Sequence, residues 1–285
     1  MTFVNKFIEK HPEKSLKVDS IIGKYVTGGR SNIGFLIFPG GGQDMYSSYD
    51  LIEAYENKYK VISLSITGFS DLKTFFKYIN KLLEIEKIDK VIVYGRSLGG
   101  FIAQHYVVAN KERVIKLILS HTATTKSKHV IKKVMIPGKI LHFFLPIIPM
   151  KLLKDLVKNN AGRIQGGNSN ILGLWKKYAS KVNLEKRIQF SNRFGLDFLN
   201  RQYLDSFYML GTDMESAEKT WGENIFKDWS KNILVIKSSD DPLAQDGGML
   251  EKYYPKAKEC IFHGTGHLTP FIQFEKMKKV IDEFI

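Results

Sequence analysis

Four short stretches of this chain carry residue types suited to nucleophilic catalysis, and each follows directly on a run that reads as a β-strand. The first is Val91-Ile92-Val93-Tyr94-Gly95-Arg96-Ser97-Leu98-Gly99-Gly100, in which four β-prone residues run into Gly-x-Ser-x-Gly. A helix-compatible segment, 101–110, follows at once, which is the strand, sharp turn and helix that a nucleophile elbow requires. Such a turn strains the backbone at Ser97, so Gly95 and Gly99 provide clearance and Gly100 lets the helix approach the sheet. The second stretch, Pro39-Gly40-Gly41-Gly42-Gln43, presents backbone N–H groups suited to a negative oxygen. A phosphate loop is the other reading of three glycines, but no Gly-Lys-Ser/Thr closes the run. The third and fourth are Ser238-Ser239-Asp240-Asp241-Pro242 and Gly264-Thr265-Gly266-His267, which supply an acid and a base.

The elements that must position these groups are strands alternating with helices. Residues 16–26 read as one or two short strands broken at Gly23, with a turn at Gly28-Gly29. The run 33–38 is continuously apolar, as a strand buried on both faces requires. Residues 60–64, 91–94, 114–119, 233–237 and 257–262 are the further strand candidates. A helix from Asp71 carries Leu72, Phe75, Phe76, Ile79, Leu82 and Leu83 on one face, with Asp71 or Ser70 as its cap. A short helix is expected at 249–254, and a closing one has Phe274, Met277, Ile281 and Phe284 on one face. Buried strands alternating with helices predict a doubly wound, mostly parallel sheet. Ligands bind beyond the carboxyl ends of such strands, so the loops holding Gly40–Gly42, Ser97, Asp241 and His267 should meet at one edge.

The alternation stops near Ser120 and resumes at Ile233. Between them lie helix-like stretches at 139–144, 150–158 and 172–181, broken by Pro137, Pro146, Pro149 and Gly166-Gly167. This is read as an inserted, mostly helical cap at 122–230, on a core formed by 1–121 and 231–285. The apolar segment 134–150 holds Lys139 and three prolines, which makes it a poor membrane span. It is expected to pack on the core, to line an apolar pocket or to lie at a lipid interface.

On these motifs and their chain order (Ser, Asp, His) the sequence resembles the α/β-hydrolase superfamily over almost its full length. The matching pieces are Phe38 to Gly42, Gly95 to Gly100, Ser239 to Leu243 and Gly264 to His267. The resemblance implies an eight-stranded α/β sheet with an inserted helical cap and a catalytic triad of Ser97, Asp241 and His267. His267 would take the serine proton and return it to the leaving group, while Asp241 would fix the imidazole tautomer. The family pattern favours Asp241 over Asp240, and the backbone N–H groups of Gly41 and Leu98 would bind the oxyanion. Two positions depart from the pattern: Pro39 replaces a common histidine before the oxyanion glycine, and Arg96 also stands where histidine is common. Arg96, with Phe143 and Phe144, is a tentative substrate-pocket residue, and an outward salt bridge is the alternative for Arg96. His105 reads as core, and His121, His129, His142 and His263 as surface or structural.

Composition bounds the rest. The chain has 285 residues, 44% hydrophobic, enough for a substantial core. No signal peptide, 18-residue apolar span or cofactor or metal motif is read, and Cys260 is the one cysteine, so a cytoplasmic location is expected. The net charge of +14 is uneven. Residues 126–201 hold sixteen Lys and Arg against three Asp and Glu, a net +13. That stretch is either a generally lysine-rich surface or an electropositive face for an acidic carrier protein or anionic membrane. Nucleic acid is not expected, since no recognition motif accompanies the charge. The function expected from the resemblance is hydrolysis of a carboxylic ester or thioester with an apolar acyl part through an acyl-enzyme. The alternatives are an acyltransferase or thioesterase serving an acidic carrier protein, and a non-hydrolytic binding protein on the same scaffold.

Overall fold

The computed structural model describes residues 1–164, 171–194, 196–222, 225–244 and 249–285. Gly166-Gly167 lies outside the described residues, and the side chain of His129 is likewise outside the description. Eight strands form one sheet: β1 (Lys14–Val18), β2 (Ile21–Gly28), β3 (Ile33–Phe38), β4 (Lys60–Leu64), β5 (Lys90–Arg96), β6 (Val114–Ser120), β7 (Ile233–Ser238) and β8 (Lys258–Phe262). Their order is β1-β2-β4-β3-β5-β6-β7-β8. The pairings β1/β2 and β2/β4 are antiparallel and the remaining five are parallel.

The central strands, β3 to β7, are buried on both faces over most of their length, and alternation along each divides the core in two. Leu36, Phe38, Val91, Val93, Leu117, Leu119, Ile233 and Val235 face one cluster. It is covered by α3 (Leu72–Ile85) and α4 (Leu98–Ala109), through Phe75, Ile79, Leu82, Ile102 and Tyr106. Phe35, Ile37, Ile92, Tyr94, Ile118, Leu234 and Ile236 face the other, under α1 (Phe3–Lys10), α2 (Tyr49–Tyr55) and, at the chain's end, a helix that includes Met277 and Ile281. The continuous apolar runs arise from this: a strand sandwiched between helix layers has no wet face. Helix α3 starts where Asp71 Oδ1 accepts the Thr74 N–H at 2.7 Å, so Asp71 is the cap.

The amino-terminal hairpin turns elsewhere than the sequence suggests. Its reversal lies between β1 and β2, with Asp19 at φ 54°, and Gly23 sits inside β2. A Cβ on Gly23 would come within 2.4 Å of the Tyr78 ring, so this glycine admits an aromatic side chain against the strand.

Between β6 and β7 the described chain is helical: α5 (Lys128–Val130), a π-turn (Ile131–Met135), α6 (Ile136–Phe144), α7 (Met150–Ile164), α8 (Ile171–Tyr178), α9 (Lys181–Phe194) and α10 (Arg201–Glu218). These helices do not form one separate layer. Leu210 and Met214 of α10 join the core cluster of α3 and α4. Phe190 of α9 instead enters the opposite cluster, stacked on Tyr49 with ring centroids 4.1 Å apart. After β7 come α11 (Met249–Tyr253), α12 (Thr269–Ile272) and α13 (Phe274–Asp282).

Candidate active site

Ser97 joins β5 to α4 with φ 50° and ψ −121°, a conformation that L-residues rarely adopt. Such a residue costs roughly 1–3 kcal/mol and persists only where its surroundings over-determine it. Here the Ser97 N–H donates to Ser120 O at 3.0 Å. Its carbonyl accepts from the Gly100 N–H at 2.9 Å and from Thr122 Oγ1 at 2.8 Å. The glycines serve close approach. A Cβ on Gly95 would lie 2.4 Å from Gly99 O, and one on Gly99 only 1.9 Å from Phe38 O. Helix α4 therefore enters directly against the end of β3, where the glycine loop begins.

That loop touches the elbow. A Cβ on Gly40 would be 3.4 Å from Ser97 Cβ, and one on Gly41 would be 3.6 Å from Leu98 Cβ. The Gly40 N–H donates to Gln43 Oε1 at 3.0 Å, and the Gly42 N–H to Tyr203 Oη of α10 at 2.7 Å. Between them, the Gly41 N–H makes no hydrogen bond among the described residues. Leu98 opens α4, so its N–H belongs to the first turn, which has no partner within the helix. The Phe207 ring of α10 stands over Gly41, 2.9 Å from where its Cβ would be. Pro39, in place of a bracing histidine, is thus accompanied by bracing from Gln43 and Tyr203.

On the other side of the elbow, His267 Nδ1 and Asp241 Oδ2 are 2.9 Å apart. Asp241 is buried, and its Oδ1 accepts the Leu243 N–H at 2.9 Å. Burial alone would raise its carboxyl, but the hydrogen bond and charge of His267, the His121 ring and the Leu243 amide outweigh it and hold it below the usual range. Asp240 is turned to a different task, accepting the Gly264 N–H at 3.0 Å. With Nδ1 directed at a carboxylate, the second imidazole nitrogen of His267 is the one that Asp241 does not engage.

Arg96 makes no ion pair among the described residues. It is buried, its Nη2 donates to the His267 carbonyl at 2.9 Å, and its guanidinium lies 4.1 Å from the Phe271 ring centroid. Burial lowers its pKa to about 10, which leaves it charged at neutral pH. The outward salt bridge is therefore corrected: Arg96 holds the loop that carries His267. The Arg187 guanidinium of α9 stacks on Phe271 as well, at 4.2 Å, and pairs with Asp50 at 2.7 Å. Phe143 and Phe144 are 76% and 43% exposed on α6, packed edge to face on each other.

His121, set aside in the sequence as surface or structural, lies next to this machinery. It is buried at φ 50°, with Nδ1 3.0 Å from Ser120 Oγ and Nε2 2.9 Å from Ser238 Oγ. Ser238 continues to Thr269 Oγ1 at 2.7 Å, and Thr269 to the Gly266 carbonyl at 2.9 Å. The His121 ring meets that of His267 edge to face, centroids 6.2 Å apart. Burial, opposed by Asp241 and reinforced by the His267 and Arg96 charges, pushes its pKa down to about 3, so it is neutral. Its position directly after a buried strand, at the edge where Ser97 and Asp241 lie, was the signal available in the sequence. His105, by contrast, is a core residue, bonded to the Phe101 and Met214 carbonyls.

An eight-stranded sheet with an elbow serine and an Asp–His pair at one edge is the architecture of a hydrolase fold. A family model described as alpha/beta hydrolase fold matches residues 35–273, and the chain belongs to that family. Among solved structures it is similar to a meta-cleavage product hydrolase from Pseudomonas fluorescens, with TM-score 0.63 and 18% identity over 95% of this chain and 96% of that one. It is also similar to a serine hydrolase from the polyaromatic-hydrocarbon-degrading bacterium Cycloclasticus zankles, with TM-score 0.66 and 14% identity over 96% and 97%. Among curated proteins, maspardin from Danio rerio is 39% identical over 71 residues. That match spans 24% of this chain and 23% of maspardin's length. No helix among the described residues is long and apolar enough to cross a membrane.

Proposed function

We propose that the protein is a serine hydrolase that cleaves a carboxylic ester or thioester with an apolar acyl part. The observation that carries this reading is Ser97 held at φ 50° at the head of α4, on the same sheet edge as the 2.9 Å His267–Asp241 pair. Ser97 Oγ attacks the carbonyl carbon as its proton passes to His267, and Asp241 stabilises the imidazolium. The N–H groups of Gly41 and Leu98 hold the resulting oxyanion, and such a donor is typically worth ~100- to 1000-fold in turnover. Collapse expels the alcohol or thiol with the proton from His267. Water, deprotonated by the same imidazole, then releases the acid and restores Ser97.

The test is covalent labelling with a fluorophosphonate probe, followed by turnover of p-nitrophenyl esters of increasing acyl length. The wild type should label, and Ser97→Ala and His267→Ala should not. Equal labelling of Ser97→Ala would overturn Ser97 as the nucleophile, and an unlabelled wild type without ester turnover would leave the scaffold as a binding protein without hydrolysis.

A further inference from the structure

Helix α6 is packed with its apolar side outward. At about 100° per residue, Ile136, Ile140, Phe143 and Phe144 fall within a sector of about 100°, and all four are exposed, by 43–76%. Ile147, just beyond the helix, is 75% exposed, and Leu152 on the next helix is 53% exposed. Its side-chain pairs with α10 are polar. Lys139 pairs with Glu215 at 3.1 Å, His142 Nε2 lies 2.8 Å from Asp205, and the His142 ring stacks on Tyr208 at 3.8 Å. Arg201 of α10 then binds the carbonyls of Leu145 and Ile148 at the helix's end. The outward apolar stripe is fixed in place by these contacts with α10, so it does not represent a loosely docked segment.

We infer that this stripe, with the lysines beside it, is a surface that seats on an anionic lipid bilayer. Single exposed apolar side chains need no explanation, but a contiguous stripe on a positioned helix marks an interaction surface. The charge selects the occupant. Lys128, Lys132, Lys151 and Lys154 make no ion pair among the described residues, and Asp155 is the one acidic residue between 126 and 184. A second copy of the chain would set this excess of positive charge against itself, whereas an anionic headgroup layer neutralises it. An acidic protein would satisfy the lysines but offers no reason for six large apolar side chains aimed at solvent. An apolar stripe flanked by lysines is the composition of a helix lying in the headgroup plane, its apolar side entering the acyl boundary. The inference is independent of the hydrolytic reading, because its readout is attachment and not turnover.

The test is co-flotation of the full chain with vesicles of phosphatidylcholine alone or with 30% phosphatidylserine. The protein should float with the anionic vesicles, less at 0.5 M salt, and hardly at all with the neutral ones. Ile140→Ser together with Ile147→Ser removes two exposed side chains, leaves the fold intact by circular dichroism, and should lower partitioning at least about tenfold. Lys132→Glu and Lys151→Glu should each lower it about fivefold or more. Failure to float with anionic vesicles overturns the inference. So does retention by the isoleucine variant, or full displacement by soluble polyglutamate, which would assign the surface to acidic chains. A dimer in sedimentation that the isoleucine changes dissolve would assign it to a second copy.

Discussion

His121 gives the sharpest test of how the candidate site's edge is built, and His121→Asn is the informative change. Asparagine tolerates the left-handed backbone that His121 adopts at φ 50°, so the variant isolates the ring from the strain. At pH 7.5 it loses the contacts with Ser120 and Ser238 and leaves a small void, a cost of about 2–3 kcal/mol. The pH dependence distinguishes the reason. An unfolded histidine titrates near ~6.5, while the folded one is pushed down to about 3, chiefly by burial. Between those values the unfolded chain binds a proton that the folded chain does not, so this group withdraws stability as pH falls. The slope is ~1.4 kcal/mol per pH unit. From pH 6.5 to 5.0 the wild type should therefore lose about 2 kcal/mol that the variant keeps, and the two should converge near pH 5. Asp44, whose carboxyl burial pushes up to about 6, titrates in both proteins and cancels in the difference. Urea unfolding at four pH values between 7.5 and 5.0 measures this. A stability difference that stays constant across the range would refute the argument, since His121 would then be charged or hydrated in the fold.

Four further outcomes follow from the same geometry. Asp241→Asn should reduce ester turnover by ~10⁴ through the wrong imidazole tautomer, with KM little changed; a loss below tenfold in a chromogenic ester assay counts against the assigned acid. Gly99→Ala should cost more than ~3 kcal/mol or prevent folding, because the new Cβ meets backbone, Phe38 O, which cannot rotate aside. Gly138→Ala, a control with nothing within 4 Å, should be neutral or stabilising by up to ~1 kcal/mol in thermal melts. Arg187→Met strands Asp50 in a site where burial already raises its carboxyl. The cost should be ~3 kcal/mol at pH 7.5 and shrink as acid protonates that carboxyl, whereas a pH-independent cost means that stacking on Phe271, not the ion pair, is what was lost.

The strands were legible because burial on both faces leaves continuous apolar runs, and the elbow because its glycines are required by backbone contacts that no side chain allows. What escaped has one physical cause: a partner far along the chain. Residues 121–125, His-Thr-Ala-Thr-Thr, are polar enough to suggest a solvated loop, yet all five are buried. Two of them are satisfied from elsewhere, Thr125 by the Glu218 carboxylate and the Ala123 carbonyl by Gln104. The environment of Arg96 is hidden from the sequence for a related reason, since matching charges cannot reveal a guanidinium that binds a carbonyl 171 residues away. The orientation of α6 does not follow from the sequence for the converse reason: its stripe has the spacing of a core helix, and the distant Asp205 and Glu215 are what engage its polar side.

The concentration of positive charge in residues 126–201 resolves into two populations with different physics. One is structural. Lys186 pairs with Glu53 at 3.0 Å and Arg187 with Asp50, so α9 is clamped to acidic groups of α2. Arg201 secures the end of α6, and Lys126 donates to the Trp221 carbonyl at 2.9 Å. These cations hold the inserted helices to the core, and through the Arg187–Phe271–Arg96 stack they reach the His267 carbonyl. The other population, Lys128, Lys132, Lys151 and Lys154, clusters in sequence with the exposed side chains of α6 and α7. Lysines without an ion pair also occur elsewhere along the described chain, Lys17, Lys73, Lys111 and Lys256 among them. What marks this segment is that no acidic residue stands between Lys126 and Lys154 while Ile136, Ile140, Phe143 and Ile147 face outward there, and that combination is what a surface for an anionic layer requires.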